Sequence, residues 1–206
     1  MIRRIALLGA TVVLALSTIG VSTAGAAAGI NGVGGVGSCP TAGKIGLKPA
    51  LAGFPNPDNS PPGTTSVSTK GVKNAVCTGT RTGDGLNVIS GASKGKGTTM
   101  HSSCSGLVGT QPSNIQLIVK WKAAKGTPKL NPSTITITST TGGATGDGHG
   151  QFDATGSVTA GSFLGDAVTA HIETDAPIAD ILAQCNGSGI KKITFGANGL
   201  SSTTIN

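Results

Sequence analysis

Ile115-Gln116-Leu117-Ile118-Val119-Lys120-Trp121-Lys122 is the stretch whose reading decides the fold class. Ile115, Leu117, Val119 and Trp121 occupy every second position, with Gln116, Lys120 and Lys122 between them. Successive side chains of an extended chain point to opposite faces, so this is a strand with one packed and one wet face. Outward from it, residues 133–138 set Ile135 and Ile137 against Thr134, Thr136 and Thr138. Residues 167–174 set Val168, Ala170 and Ile172 against Thr169, His171 and Glu173. Ile193 and Phe195 are the inward residues of a last strand over 190–195. Residues 44–50, 65–76, 87–90 with a Gly-rich continuation to 100, and 151–158 are further strand candidates. Residues 177–183, preceded by Asp175 as an N-cap, suit one or two helical turns. The pattern predicts an all-β fold, an antiparallel β-sandwich of about eight strands, Ig-like or similar. A β-barrel is the alternative, because strands alternate equally well in either.

The chain opens with Arg3 and Arg4 before an apolar run from Ile5 to Leu16, then small residues to Ala24-Gly25-Ala26. This is the pattern of a secretory signal, and the run is shorter than the roughly 20 residues a membrane-spanning helix needs. The expected organisation is a signal peptide over 1–26, cleaved near Ala26, a Gly-rich lead-in over 27–38, and one disulfide-bonded β domain over 39–206. The mature chain is expected to be secreted, extracellular or cell-wall associated, with no transmembrane segment.

Cleavage would remove two of 15 Lys and Arg and none of eight Asp and Glu, leaving a net charge near +5. Such a surface suits an anionic cell-wall component or another envelope protein as partner. Nucleic acid is not expected, because Arg81 is the one Arg beyond the signal and aromatic residues are 2% of the chain.

Cys39, Cys77, Cys104 and Cys185 form an even set in an exported chain, which reads as two disulfides. Folding the 44–76 segment as a hairpin about its Pro-rich loop brings Cys39 opposite Cys77, which favours the pairs Cys39–Cys77 and Cys104–Cys185. Val36-Gly37-Ser38-Cys39 also loosely matches a lipoprotein processing box, in which Cys39 would be lipidated.

An early cysteine before a short strand (Cys39), a second closing the next strand (Cys77) and a third near mid-chain (Cys104) set an order of features. Gly161-Ser162-Phe163-Leu164-Gly165-Asp166 and Gly189-Ile190-Lys191-Lys192-Ile193-Thr194-Phe195 complete it. This order resembles a group of uncharacterised secreted β-proteins from high-GC Gram-positive bacteria, the actinobacteria. The resemblance covers most of the mature chain and implies compartment and fold; it implies no catalytic residue.

Several motifs bear on chemistry. Gly91-Ala92-Ser93-Lys94-Gly95 fits G-x-S-x-G, and Ser93 with Lys96 fits S-x-x-K; the first needs a strand, elbow and helix, the second a helical turn. Lys94-Gly95-Lys96-Gly97 is a poor helix former. Asp147, His149 and Asp153 are candidate metal ligands around a Gly-rich turn, although calcium prefers more carboxylates. Asp166 and Glu173 are a conceivable acid pair, but there is no Tyr, and Trp121 lies on the core face, so sugar stacking has no platform. No cofactor and no catalytic residue is expected. The first functional expectation is therefore a non-catalytic protein that binds through its surface. The alternatives are a carrier for a small apolar ligand such as a lipid, and a serine hydrolase using Ser93.

Overall fold

The alternating segments are strands, and they run further than their alternation. The computed structural model describes residues 37–51, 64–74, 88–100, 104–123, 125–126 and 128–206. The 1–26 segment, the Pro-rich loop, Cys77 and His101 lie outside the described residues. In chain order the elements are β1 (Gly37–Leu51), β2 (Thr64–Asn74), β3 (Val88–Met100), β4 (Gly109–Ala123), β5 (Ser133–Ala144), β6 (His149–Ala160), β7 (Ala167–Pro177), α1 (Ile178–Asn186), β8 (Ile190–Phe195) and β9 (Ser202–Ile205). A 3-10 turn spans Cys104–Leu107.

The fold is all-β and antiparallel, as the alternation requires, but the strands lie in one sheet of nine rather than in two stacked sheets. Each strand from β2 to β6 pairs with its sequence neighbours. β7 then pairs with β8 and β9, and both of these pair with β1. The ladder that leaves β1 through β2 therefore returns to it, which is the ring of pairings expected of the barrel alternative rather than of a sandwich. Alternation specifies one buried face per strand and is silent on whether that face looks at a second sheet or across a closed one. β1 starts inside the Gly-rich lead-in because its first residues pair with β9, Ser38 with Thr204 and Cys39 with Thr203.

Closing a sheet demands sharp coiling, which bulges and glycines permit. One row of cross-strand partners reads Gly97, Ile115, Ile137, Gly156 across β3 to β6. Register shifts fall beside it, between Pro112 and Ile115 in β4 and between Ile137 and Ser139 in β5. The two isoleucines fill the inside, and the glycines on either flank let the neighbouring backbones approach.

Both ends of the ring are filled. At one, Trp121 meets Phe163 edge to face with ring centroids 5.4 Å apart. Phe163 is fully buried in the turn between β6 and β7 and adopts φ +66°, unusual for a bulky residue and held there by its packing. Trp121 Nε1 donates to Ser133 Oγ at 2.7 Å, and that hydroxyl donates to the Ser162 carbonyl at 2.6 Å. At the other end α1 buries Ile181 and Cys185 against Leu51, Leu107, Ile190 and Ile193. A disulfide from Cys104 to Cys185 fastens α1 to the 3-10 turn. Asp175 does not cap α1: its carboxylate accepts from the Ala197 backbone N–H at 2.8 Å, and Pro177 holds the N-cap position without a side-chain bond. Among the described residues no helix is long and apolar enough to cross a membrane.

Candidate functional site

The inward positions of the ring do not fill it. A cavity of about 170 Å³ remains between the two plugged ends, lined from every strand. Its walls are aliphatic, with Ile45, Leu47, Leu117, Val119 and Ile135 prominent, and Phe152 and Trp121 toward opposite ends. The reason for the space lies in β3. Its inward residues are Gly91, Ser93, Gly95 and Gly97, so this strand offers nothing larger than a hydroxymethyl group along most of its length. Cross-strand neighbours cover only part of the deficit: a β-carbon on Gly91 would lie 2.9 Å from the Trp121 ring.

Ser93 belongs to this wall. It is 8% exposed and lines the cavity from the middle of β3, whereas Lys96 points outward and is exposed. Neither the elbow of a G-x-S-x-G nucleophile nor the helical turn of S-x-x-K is present, because the whole segment is extended. The glycines that suggested a catalytic turn are the small residues of an inner wall.

The other concentration of polar side chains lies outside the ring on β6 and β7. His171 is held between two carboxylates, with Nδ1 2.7 Å from Asp153 Oδ1 and Nε2 3.2 Å from Glu173 Oε1. Gln151 Nε2 donates to Asp153 Oδ2 at 2.6 Å, and Asn198 Nδ2 to Glu173 Oε2 at 3.0 Å. The string runs from β6 to the loop between β8 and β9, under which Glu173 is buried. Ser201 Oγ accepts from the Glu173 N–H at 2.8 Å, securing the same loop.

Acceptors on both ring nitrogens favour the imidazolium. The hydrogen bond to Asp153 does most to raise the His171 pKa above its usual 6.5, partial burial opposes it, and Glu173 adds to the rise. Stability from this pairing is complete below about pH 6.5 and is lost as pH rises through the raised folded value. The His171 side chain is 37% exposed, so solvent screening holds the contribution below about 1 kcal/mol. Urea midpoints are expected to be slightly higher at pH 6 than at pH 8.5, and His171→Gln is expected to remove that difference. An unchanged pH dependence in the variant would assign it to other groups.

Asp147 and His149 sit in the turn between β5 and β6 and at its exit. The Asp147 carboxylate accepts from the Thr145 hydroxyl, which also holds its pKa below the usual carboxylate value. His149 Nδ1 lies 2.8 Å from the Thr174 carbonyl and donates to it. Asp153 is engaged with His171 and Gln151. Among the described residues no three His, Cys, Asp or Glu side chains gather as a metal site. Asp166 and Glu173 are placed at the start and toward the end of β7. Cys104–Cys185 is the pair expected; Cys39 is also disulfide-bonded, and Cys77, its expected partner, lies outside the described residues.

The cavity-lining residues of β1 and β2, Ile45, Leu47, Val67 and Thr69, were not singled out by motif. Their signal is the run of inward glycines in β3, which requires that something else occupy the space they leave. No protein-family model, curated protein or solved structure matches the chain.

Proposed function

We propose that this chain, once exported, binds a small apolar molecule inside its closed sheet. The observation that carries the reading is the aliphatic cavity of about 170 Å³ between the Trp121–Phe163 plug and α1. An engineered apolar cavity of roughly 150 Å³ stays dry and admits benzene, so a space of this kind suits a ligand of roughly six to ten carbon atoms. Burial of such a molecule is driven by removal of its surface from water, and aliphatic walls need no aromatic platform to achieve it. Surface-mediated binding has less support: the exposed large hydrophobics Val108, Ile118, Leu164 and Leu200 lie in four different segments, and scattered residues of this sort are ordinary.

Trp121 lines the cavity and is the only Trp in a chain without Tyr, so its emission reports on occupancy without interference. Titration with methylcyclohexane is expected to change Trp121 fluorescence saturably. At a hundredfold excess over the dissociation constant, it is also expected to stabilise the fold by about 2.7 kcal/mol. Emission and unfolding midpoint that both stay constant up to the solubility limit would sink the reading.

A further inference from the structure

Six hydroxyl-bearing residues line the cavity: Thr41, Thr69, Ser93, Thr99, Thr140 and Thr203. Four are satisfied within the protein. Thr41 Oγ1 contacts the Cys39 carbonyl at 2.9 Å and Thr203 Oγ1 at 3.0 Å. Ser113 Oγ bridges Thr99 Oγ1 at 3.3 Å and Thr140 Oγ1 at 3.0 Å. Thr69 Oγ1 is different: it is buried and has no hydrogen-bond partner.

The local register explains why. Thr69 lies opposite Ile45 on β1 and Gly95 on β3, neither of which offers a polar side chain. Ser93 follows one inward position further along β3, buried and facing the same space. A buried hydroxyl without a partner is costly, and the great majority find one. A lone water wants two to four polar contacts, which a wall of Ile45, Leu117 and Gly95 does not supply around Thr69.

We infer that the ligand is a hydrocarbon carrying one oxygen function, a hydroxyl or a carbonyl, seated on Thr69 with Ser93 beside it. This rests on the cavity being a binding site and adds the chemical class of its occupant. The remainder of the molecule lies against Ile45 and Leu117, where a second polar group would go unpartnered.

Methylcyclohexane and cyclohexanol are nearly the same shape and differ by a methyl and a hydroxyl, so they separate the two ideas. Affinities of both are read from Trp121 emission for the wild type and for Thr69→Val, which preserves side-chain shape. The preference for cyclohexanol over methylcyclohexane is expected to fall about three- to tenfold in the variant, the factor that one ordinary hydrogen bond supplies. Binding of both probes with an unchanged ratio overturns the Thr69 assignment and leaves the cavity reading standing. Binding of neither to the wild type overturns the cavity reading itself. A second measurement needs no variant: the carbonyl stretch of carbon-13-labelled cyclohexanone bound to the wild type is expected below its value in dry hydrocarbon. A frequency equal to the hydrocarbon value also overturns the assignment.

Discussion

A chain in which Cys104 and Cys185 are both alanine is expected to be about 4 kcal/mol less stable than the oxidised protein. The bridge closes a loop with a sequence separation of 81, and in the chain-entropy model a loop of that size restricts the unfolded ensemble by about this amount. Few other contacts do the same work. β4 to β7 and α1 lie between the two cysteines, and α1 is a nine-residue helix without a side-chain N-cap. A helix so short is marginal by itself and depends on packing of its apolar face, here Ile181 and Cys185. Alanine at both positions avoids leaving a free thiol or a buried hydroxyl, so the loss measures the tether and a small volume of core. The melting temperature, followed by far-ultraviolet circular dichroism without reductant, is expected to fall by about 10–15 °C. A loss below about 1 kcal/mol would mean that the ring of strands organises this end without its bridge.

The strands that sequence made legible are those whose two faces differ in hydropathy. β4, β5 and β7 place Ile, Leu, Val or Ala against Thr, Lys, Gln or Glu, and an alternation with period two has no competing reading in a helix. β3 alternates as well, but in size rather than polarity, with Gly91, Ser93, Gly95 and Gly97 inward against Ala92, Lys94 and Lys96. Hydropathy hardly registers that contrast, which is how the segment also came to suggest a nucleophile turn. β9 is four residues with one fully buried apolar side chain, Ile205, too little for any periodicity. The closing of the sheet is a relation between distant strands, such as Thr169 with Thr204 and Thr203 with Cys39, and no local window contains it.

The candidate site was legible only in kind. An aliphatic interior suited to apolar molecules follows from inward Ile, Leu and Val, but a cavity is a deficit of volume and depends on which residues face each other. Thr69 shows the point: a threonine at an inward strand position is ordinary, and it becomes informative only because its cross-strand neighbours are Ile45 and Gly95. Thr99 and Thr140, placed equally well in their strands, find Ser113 between them.

The coiling that closes the sheet gives the second large expectation, that Gly97→Ala and Gly156→Ala each cost about 3 kcal/mol. A β-carbon at Gly97 would overlap the Asn114 carbonyl oxygen and the Ile115 Cα, and one at Gly156 would overlap the Thr136 carbonyl oxygen. These are backbone atoms of the adjoining strand, so relief requires moving β4 or β5 rather than turning a side chain, which places the cost at the upper end of overpacking. The positions flank the Ile115–Ile137 pair at the level where both strands shift register, so the penalty falls where the sheet bends. Gly143, in β5, is the internal control: a β-carbon there meets nothing within 4 Å and its φ is not positive. Gly143→Ala is therefore expected to be neutral or to stabilise by up to about 1 kcal/mol through the unfolded state. Urea midpoints with unchanged slopes would report these differences as stability alone. Gly97→Ala and Gly156→Ala variants as stable as Gly143→Ala would show that the adjoining strands yield freely, and the glycines would then owe their place to the cavity they leave rather than to the bend.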